Sequence, residues 1–249
     1  MCGSKRRALG KSLTCIIHRR PGPRINSVPA LQQILVYSDS ASWGIIPTTR
    51  RRLSFDARWP GVMETALIEQ RLAVRVIEDC LNGRRTVWED PFKSGRNGLT
   101  GLAQRIEINS PLALVMLMLG TNDFQSMHPH TVWHAAQGIA TLVTAIRQAP
   151  VEPGMPTPPV LVIAPPPILT PRGPLAAKFT GAAGKSAGLA DAYRDIAGEI
   201  GCDFFDAGSV TPASAADGIH LDADQHARLG KALAAFVAGL AGFSPPTQR

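Results

Sequence analysis

Hydrophobic residues along the chain gather in short continuous runs of strand length. The runs are Ile34–Tyr37, Val74–Ile77, Leu112–Leu119, Val160–Ala164 and Phe204–Phe205. Runs without polar alternation are typical of strands in parallel sheets, which helices cover on both faces. The pattern therefore predicts five buried parallel strands.

The segments between these runs follow helical periodicity. The predicted helices are Trp59–Arg71, Thr131–Gln148, Ala187–Ile200 and Asp222–Leu240. Thr131 and Asp222 are suitable N-caps for two of them. This alternation of strands and helices predicts one α/β domain, a three-layer α/β/α sandwich over residues 31–241.

The composition excludes several classes of protein. Of the 249 residues, 45% are hydrophobic and only 18% are charged, which excludes a coiled coil and wholesale disorder. No uncharged apolar run reaches about 18 residues, so no transmembrane helix and no membrane partner are expected. The four cysteines form no CxxC pair, which argues against a disulfide framework or zinc ribbon and favours a cytoplasmic location.

The net charge of +7 is concentrated at the amino end of the chain. Seven of the 26 Lys and Arg residues lie in residues 1–30, which contain no acid, and this leaves 19 basic residues against 19 acidic ones. The rest of the chain thus has no basic excess that would indicate a nucleic-acid partner. We interpret residues 1–30 as a disordered extension and 242–249 as a C-terminal tail. A basic arm for anionic partners and an organelle transit peptide are alternatives for residues 1–30.

Residues suited to acyl transfer follow the predicted strands. Ser40, Gly83 and Asn122 follow the first three strands, and Asp217 and His220 precede the last helix. Because parallel strands place their carboxyl ends at one edge of the sheet, we expect these residues to meet there. A serine nucleophile needs a histidine base, and that histidine needs a carboxylate. Backbone N–H groups of Ser40 and Gly83, with the Asn122 amide, would supply three donors to an oxyanion.

Six short segments around these residues form a wider pattern. They are residues 40–44 (SASWG), 58–61 (RWPG), 118–123 (MLGTND), 164–167 (APPP), 204–209 (FFDAGS) and 217–220 (DGIH). In their order and placement they resemble the SGNH (GDSL-type) hydrolase superfamily, and within it the bacterial arylesterase/acyltransferase branch. The resemblance implies a flavodoxin-like sandwich with strand order 2-1-3-4-5.

The resemblance also implies a role for each of the matching residues. The implied catalytic residues are the nucleophile Ser40, the base His220 and its orienting acid Asp217. The implied oxyanion hole is formed by Ser40, Gly83 and Asn122, and the implied substrate pocket by Trp43 and Ile219. No metal or organic cofactor is implied, and the expected partners are a small-molecule ester and further copies of the chain in a homo-oligomer.

Two residues depart from the pattern of this branch. Ser38 and Cys80 each stand where the family usually has glycine. Glycine permits close backbone packing behind the nucleophile, so these replacements bear on activity more than on the fold. We interpret Cys80 as a small buried residue and not as an alternative nucleophile, because no separate base is apparent for it.

The expected function is that of a serine esterase for short-chain acyl or aryl esters, with acyl transfer to alcohols or peroxide as an extension. A carbohydrate O-deacetylase and a thioesterase remain alternatives, since the same triad serves both. A catalytically degenerate hydrolase kept as a binding protein is an alternative of another class.

Two further groups of residues have competing interpretations. His128, His130 and His134 are close in sequence, but Pro129 and their position at a loop–helix junction argue against a metal site. Arg50–Arg52 form a short basic run, for which a solvated loop is favoured over attraction of anionic substrates or a subunit contact.

Overall fold

In the residues that the computed structural model describes, 31–243, five parallel strands form one sheet in the order β2-β1-β3-β4-β5. The strands are β1 Gln32–Ser38, β2 Val74–Cys80, β3 Leu114–Met118, β4 Val160–Ala164 and β5 Asp203–Asp206. All five predicted strands and their order are confirmed. The interpretation of residues 1–30 concerns a segment outside the described residues, and so does that of 242–249 beyond residue 243.

Seven α-helices of the described residues lie between these strands or, in the case of the last, after them. They are α1 Ser40–Trp43, α2 Trp59–Glu69, α3 Leu102–Asn109, α4 Val132–Arg147, α5 Ala182–Lys185, α6 Leu189–Glu199 and α7 Ala223–Ala238. Short 3₁₀ turns lie at Phe55–Ala57, Thr121–Phe124, Gly173–Leu175 and Ala207–Ser209. Thr131 and Asp222 are the N-caps of α4 and α7, as predicted. In the described residues, no helix has the length and apolarity that a membrane span needs.

The sheet separates two hydrophobic cores, which accounts for the continuous apolar strands. In β1, Leu35 and Tyr37 pack on one face with α3, α4 and α6, whereas Ile34 and Val36 pack on the other with α2 and α7. Each of these side chains is at most 1% exposed. Both faces of the strand are therefore covered, and the three-layer sandwich is confirmed. Phe243 is also buried in the second core, two residues beyond the predicted limit of the domain.

The structure differs from the predicted elements mainly at helix ends and in three helices that were not predicted, the four-residue α1 and α5 and the longer α3. Helix α2 stops at Glu69 because the backbone of Arg71 enters the left-handed region with φ of 64°. Helix α3 has only two buried anchors, Leu102 and Ile106, and this stripe is too short to stand out in the sequence.

The carboxyl ends of β1, β2 and β3 lie side by side. Ser38, the last residue of β1, is in register with Cys80 on β2 and Met118 on β3. The loops that leave these three strands therefore begin at one edge of the sheet.

Candidate active site

Ser40 occupies the first position of the short helix α1, directly after β1. The carboxylate of Asp39 caps this turn, because its Oδ1 accepts a hydrogen bond from the Ala41 N–H at 2.9 Å. Gly44 ends the turn with a φ of 84°, a conformation that glycine adopts without strain. The tight turn holds the Ser40 hydroxyl at the sheet edge.

Ser40, His220 and Asp217 form one continuous hydrogen-bonded line. The Ser40 Oγ lies 3.1 Å from Nε2 of His220, and Nδ1 of His220 lies 2.7 Å from Oδ2 of Asp217. The three residues come from two segments separated by 180 positions in sequence. All three are at least nine-tenths buried. The structure thus brings together the three residues predicted to form a triad.

The surroundings of Asp217 fix its charge and the tautomer of His220. Burial opposes ionisation of Asp217, but hydrogen bonds from the side chain and backbone of His220 and from the Ile219 N–H outweigh it and lower its pKa to about 2. The carboxylate accepts the Nδ1–H of His220, since an ionised carboxylate has no proton to donate. Nε2 is then free to accept the proton of the Ser40 hydroxyl.

Two backbone N–H groups border the space in front of Ser40. Gly83 has a φ of 84° and lines the same cavity as Ser40, His220 and Asn122. Within the described residues, neither the Gly83 N–H nor the Ser40 N–H donates a hydrogen bond to another group. Both are therefore available to an oxygen of a bound ligand.

Asn122 lies at this site, but its amide is already engaged. Its Nδ2 donates to Oδ2 of Asp39 at 2.8 Å and to the carbonyl of Arg84 at 3.2 Å. Its Oδ1 accepts from Nε2 of Gln125 at 2.7 Å. The amide is thus fixed in orientation, and a ligand oxygen would have to replace one of its two acceptors.

Ser38, which stands where glycine is usual, takes part in a buried chain of hydrogen bonds. The Trp59 Nε1–H donates to Ser42 Oγ at 3.0 Å, and the Oγ atoms of Ser42 and Ser38 lie 2.6 Å apart. Ser38 Oγ in turn lies 2.6 Å from the Met118 carbonyl, which can only accept. Ser38 therefore donates to the Met118 carbonyl, and Ser42 donates to Ser38. The hydroxyl of Ser38, which a glycine would lack, is thus hydrogen-bonded on both sides.

Two buried arginines also support the site, and the sequence analysis missed both. Arg84 donates to the Ser38 carbonyl at 3.0 Å and pairs with Asp79 at 2.6 Å. Arg85 is fully buried and donates to the Asn122 carbonyl at 3.1 Å. Their signal in the sequence was only a pair of adjacent basic residues after β2, which is more typical of a solvated loop.

A cavity of about 90 Å³ opens in front of Ser40 and His220. Its lining includes Ile219, together with Asn82 and Gly83. Trp43 is not among the lining residues, and its ring lies under the Arg52 guanidinium at 4.6 Å. A second cavity of about 140 Å³ adjoins the first at His220, which lines both, and is lined in part by Thr48 and Pro174.

Cys80 lies at the carboxyl end of β2, next to β1. Its Sγ is 3.7 Å from the Val36 carbonyl, and it is not among the residues that line the Ser40 cavity. Burial is the main cause that raises the pKa of the Cys80 thiol well above its usual range, with the charge of Glu78 adding to it. A thiol in this state is a poor nucleophile.

The three neighbouring histidines lie in one aromatic cluster. The rings of His128 and His130 are parallel with centroids 4.7 Å apart, and Trp88 lies 4.3 Å from His130. Burial, with the nearby positive charges, lowers the pKa of His130 to about 4, so the ring is uncharged at neutral pH. Across residues 31–243, no group of three or more His, Cys, Asp or Glu side chains is arranged to hold a metal ion.

The chain matches the GDSL-like lipase/acylhydrolase family over residues 39–228. An aryl esterase from M. smegmatis, solved with an inhibitor, has 35% sequence identity and a TM-score of 0.79, with 84% of this chain and 99% of that one covered. Est24, a carbohydrate acetylesterase from Sinorhizobium meliloti, has 35% identity and a TM-score of 0.78, with 83% and 98% covered. No curated protein matches the chain. From the family match and these structural relatives, the chain belongs to the GDSL-like lipase/acylhydrolase family and is a carboxylic ester hydrolase of the SGNH type.

Proposed function

We propose that the chain is a serine esterase that hydrolyses short-chain acyl and aryl esters through an acyl-enzyme on Ser40. The observation that carries this proposal is the hydrogen-bonded line from Ser40 through His220 to Asp217, which ends at an open cavity. Serine, histidine and carboxylate in this geometry are the components of nucleophilic acyl transfer.

Each residue has a definite task in the proposed reaction. Ser40 Oγ attacks the ester carbonyl while Nε2 of His220 takes its proton, and Asp217 stabilises the resulting imidazolium. The N–H groups of Ser40 and Gly83 donate to the oxyanion, and Asn122 is the third donor. His220 then gives its proton to the departing alcohol, and water releases the acyl group by the same steps in reverse.

The size of the Ser40 cavity supports the preference for small acyl groups. A cavity of about 90 Å³ is well below the 300–1,000 Å³ of typical drug-sized pockets. The adjoining cavity beside His220 offers about 140 Å³ for a second part of the substrate. We therefore propose an acetyl-sized acyl group with a somewhat larger alcohol.

Several finer properties belong to the same proposal. Acyl transfer to alcohols or peroxide would need the acyl-enzyme to react with these in place of water. A homo-oligomer would let loops of one copy frame the cavity of another. A cytoplasmic location fits the absence of paired cysteines in the sequence.

Carbohydrate O-deacetylation is the second candidate. The 35% identity with Est24, a carbohydrate acetylesterase, favours it, and the polar side chain of Asn82 on the cavity wall would suit a hydroxylated alcohol. A panel of aryl acetates, acetylated sugars and acyl thioesters separates the candidates. Activity confined to the sugars or to the thioesters would replace the aryl ester proposal.

The first experiment is hydrolysis of p-nitrophenyl acetate by the wild type, Ser40→Ala and Ser209→Ala. Loss of a triad serine is expected to lower kcat by about 10⁴–10⁶. Ser209 is an exposed serine whose hydroxyl donates to the nearby Asp206 carbonyl, so its variant is the matched control.

Labelling with a fluorophosphonate tests the alternative that the chain is a degenerate, non-catalytic binding protein. An activated Ser40 is expected to react, and Ser40→Ala is not. A wild type that neither hydrolyses the ester nor reacts with the probe would refute the proposed function.

A further inference from the structure

Three cations from separate segments line the cavity in front of Ser40. They are Arg50, which follows α1, Lys93 in the loop after β2, and Lys178 in the segment before α5. We refer to these three residues as the basic wall. Arg50 also lines the adjoining cavity beside His220, so it lies where the two cavities meet.

The carboxylate that lines the same cavity, Asp90, is already engaged by other partners. Asp90 pairs with the buried Arg85 at 3.2 Å, and its Oδ1 accepts from the Phe92 N–H at 2.9 Å. Within residues 31–243, none of Arg50, Lys93 and Lys178 forms an ion pair. The cavity therefore has an excess of positive charge.

The three cations are close enough to affect one another. Burial is the main cause that lowers the pKa of the half-buried Lys178, and the charges of Arg85, Lys93 and Arg50 add to it, while Asp90 opposes it. Like charges held together in a cleft repel one another, and a bound anion would relieve that repulsion.

The other members of the basic run 50–52 behave differently from Arg50. Arg52 pairs with Glu78 at 3.2 Å and covers the ring of Trp43. Arg51 is exposed and is not among the residues that line either cavity. Arg50 alone of the three thus faces the site, as a charge directed at a ligand would.

We propose that the basic wall is an anion subsite, and that the preferred substrates are esters that carry a carboxylate, phosphate or sulfate near the reacting carbonyl. The proposal rests on the proposed function, because it assumes that Ser40 performs the hydrolysis. A positively charged cleft raises the local concentration of anionic substrate and favours its binding over that of a neutral analogue.

The experiment compares two esters of the same shape. The probes are 4-acetoxybenzoate, which is an anion at neutral pH, and its uncharged methyl ester, with each kcat/KM divided by the rate of uncatalysed alkaline hydrolysis. The wild type is expected to prefer the anion, and rising salt is expected to reduce that preference. Lys93→Gln and Lys178→Gln are each expected to reduce it by about two- to five-fold, mainly through KM.

Lys231→Gln is the matched control, because Lys231 is an exposed lysine of α7 outside both cavities. It is expected to leave the preference unchanged. If Lys93→Gln and Lys178→Gln prefer the anionic ester as strongly as the wild type does, the subsite is refuted. A wild type that does not prefer the anionic ester would also refute it. Ser40-dependent hydrolysis of the neutral ester would still stand in either case.

A binding measurement separates failure of the subsite from failure of catalysis. Calorimetry with 4-hydroxybenzoate and its methyl ester on the Ser40→Ala protein requires no turnover. Tighter binding of the anion, weakened by Lys178→Gln, supports the subsite even if no esterase activity is found. Equal binding of both ligands would refute it independently of the reaction.

Discussion

The chain of hydrogen bonds behind the nucleophile turn leads to a quantitative prediction for Ser42→Ala. Ser42 is fully buried, accepts from the Trp59 indole and donates to Ser38. Alanine removes both bonds without adding bulk. The Trp59 indole is itself fully buried, so its N–H would be left without an acceptor and out of reach of water.

The expected cost follows from that buried donor. A buried polar group left unpaired costs about 1–3 kcal/mol, whereas the lost bond to Ser38 adds less because Ser38 keeps its bond to the Met118 carbonyl. We expect Ser42→Ala to lower the free energy of unfolding by about 2 kcal/mol. Since domains are stable by about 5–15 kcal/mol, the variant should fold and remain measurable.

Urea denaturation followed by tryptophan fluorescence measures this change. Ser209→Ala is the control, since it removes an exposed hydroxyl and should change stability by less than about 0.5 kcal/mol. In the double variant, the loss of unfolding free energy should differ from the sum of the losses for Ser38→Ala and Ser42→Ala, because the two residues share a hydrogen bond. A loss below about 0.5 kcal/mol for Ser42→Ala would refute the argument, and so would full additivity.

Three further variants test the site and the fold. In Asp217→Asn the side-chain oxygen should keep its hydrogen bonds from the backbone N–H groups of Ile219 and His220. The amide N–H₂ then faces Nδ1 of His220 and favours the wrong tautomer of the imidazole. The kcat for p-nitrophenyl acetate should therefore fall by about 10⁴. Asn122→Ala should lower kcat by about 10²–10³ with little change in KM in the same assay, and equal kcat would exclude it as an oxyanion donor. Burial is the main cause that lowers the pKa of His226 in the folded chain from 6.5 to about 4. As the pH falls through this range, His226 is therefore protonated in the unfolded chain before it is protonated in the folded one. The free energy of unfolding should then decrease by up to about 3 kcal/mol between pH 6.5 and pH 4. In urea titrations over the same pH range, it should decrease less for His226→Asn.

The fold was predictable because its strands are covered on both faces. Residues such as Ile34 and Leu35 are adjacent in sequence and point into different cores, so the strand appears as an unbroken apolar run. Helices α4 and α7 were equally clear, since their capping residues precede long apolar stripes. Helix α3 was missed because two buried residues do not make a periodic pattern.

The placement of Ser40, Asp217 and His220 could be predicted because parallel strands bring their carboxyl ends together. The supporting interactions could not, because they depend on long-range contacts between polar groups. Arg85 is an example, since burial of an arginine is unfavourable without partners, and its guanidinium donates to the Asn122 carbonyl and to Gln125, 37 and 40 positions away in sequence. The pocket role expected of Trp43 stays a prediction, and the contact of its ring with Arg52 was not indicated by the sequence either.

The geometry of Asn122 indicates how a residue with no free donor would still act in catalysis. Its N–H toward Arg84 is the longer of the two bonds, at 3.2 Å, and therefore the weaker. A developing oxyanion is a charged acceptor, and bonds to charged acceptors are about twice as strong as bonds to a neutral carbonyl. The N–H would therefore move to the oxyanion only as charge develops, while Asp39 and Gln125 hold the rest of the amide in place. An interaction made in the transition state and not in the bound substrate changes kcat more than KM, which is the basis of the result expected for Asn122→Ala.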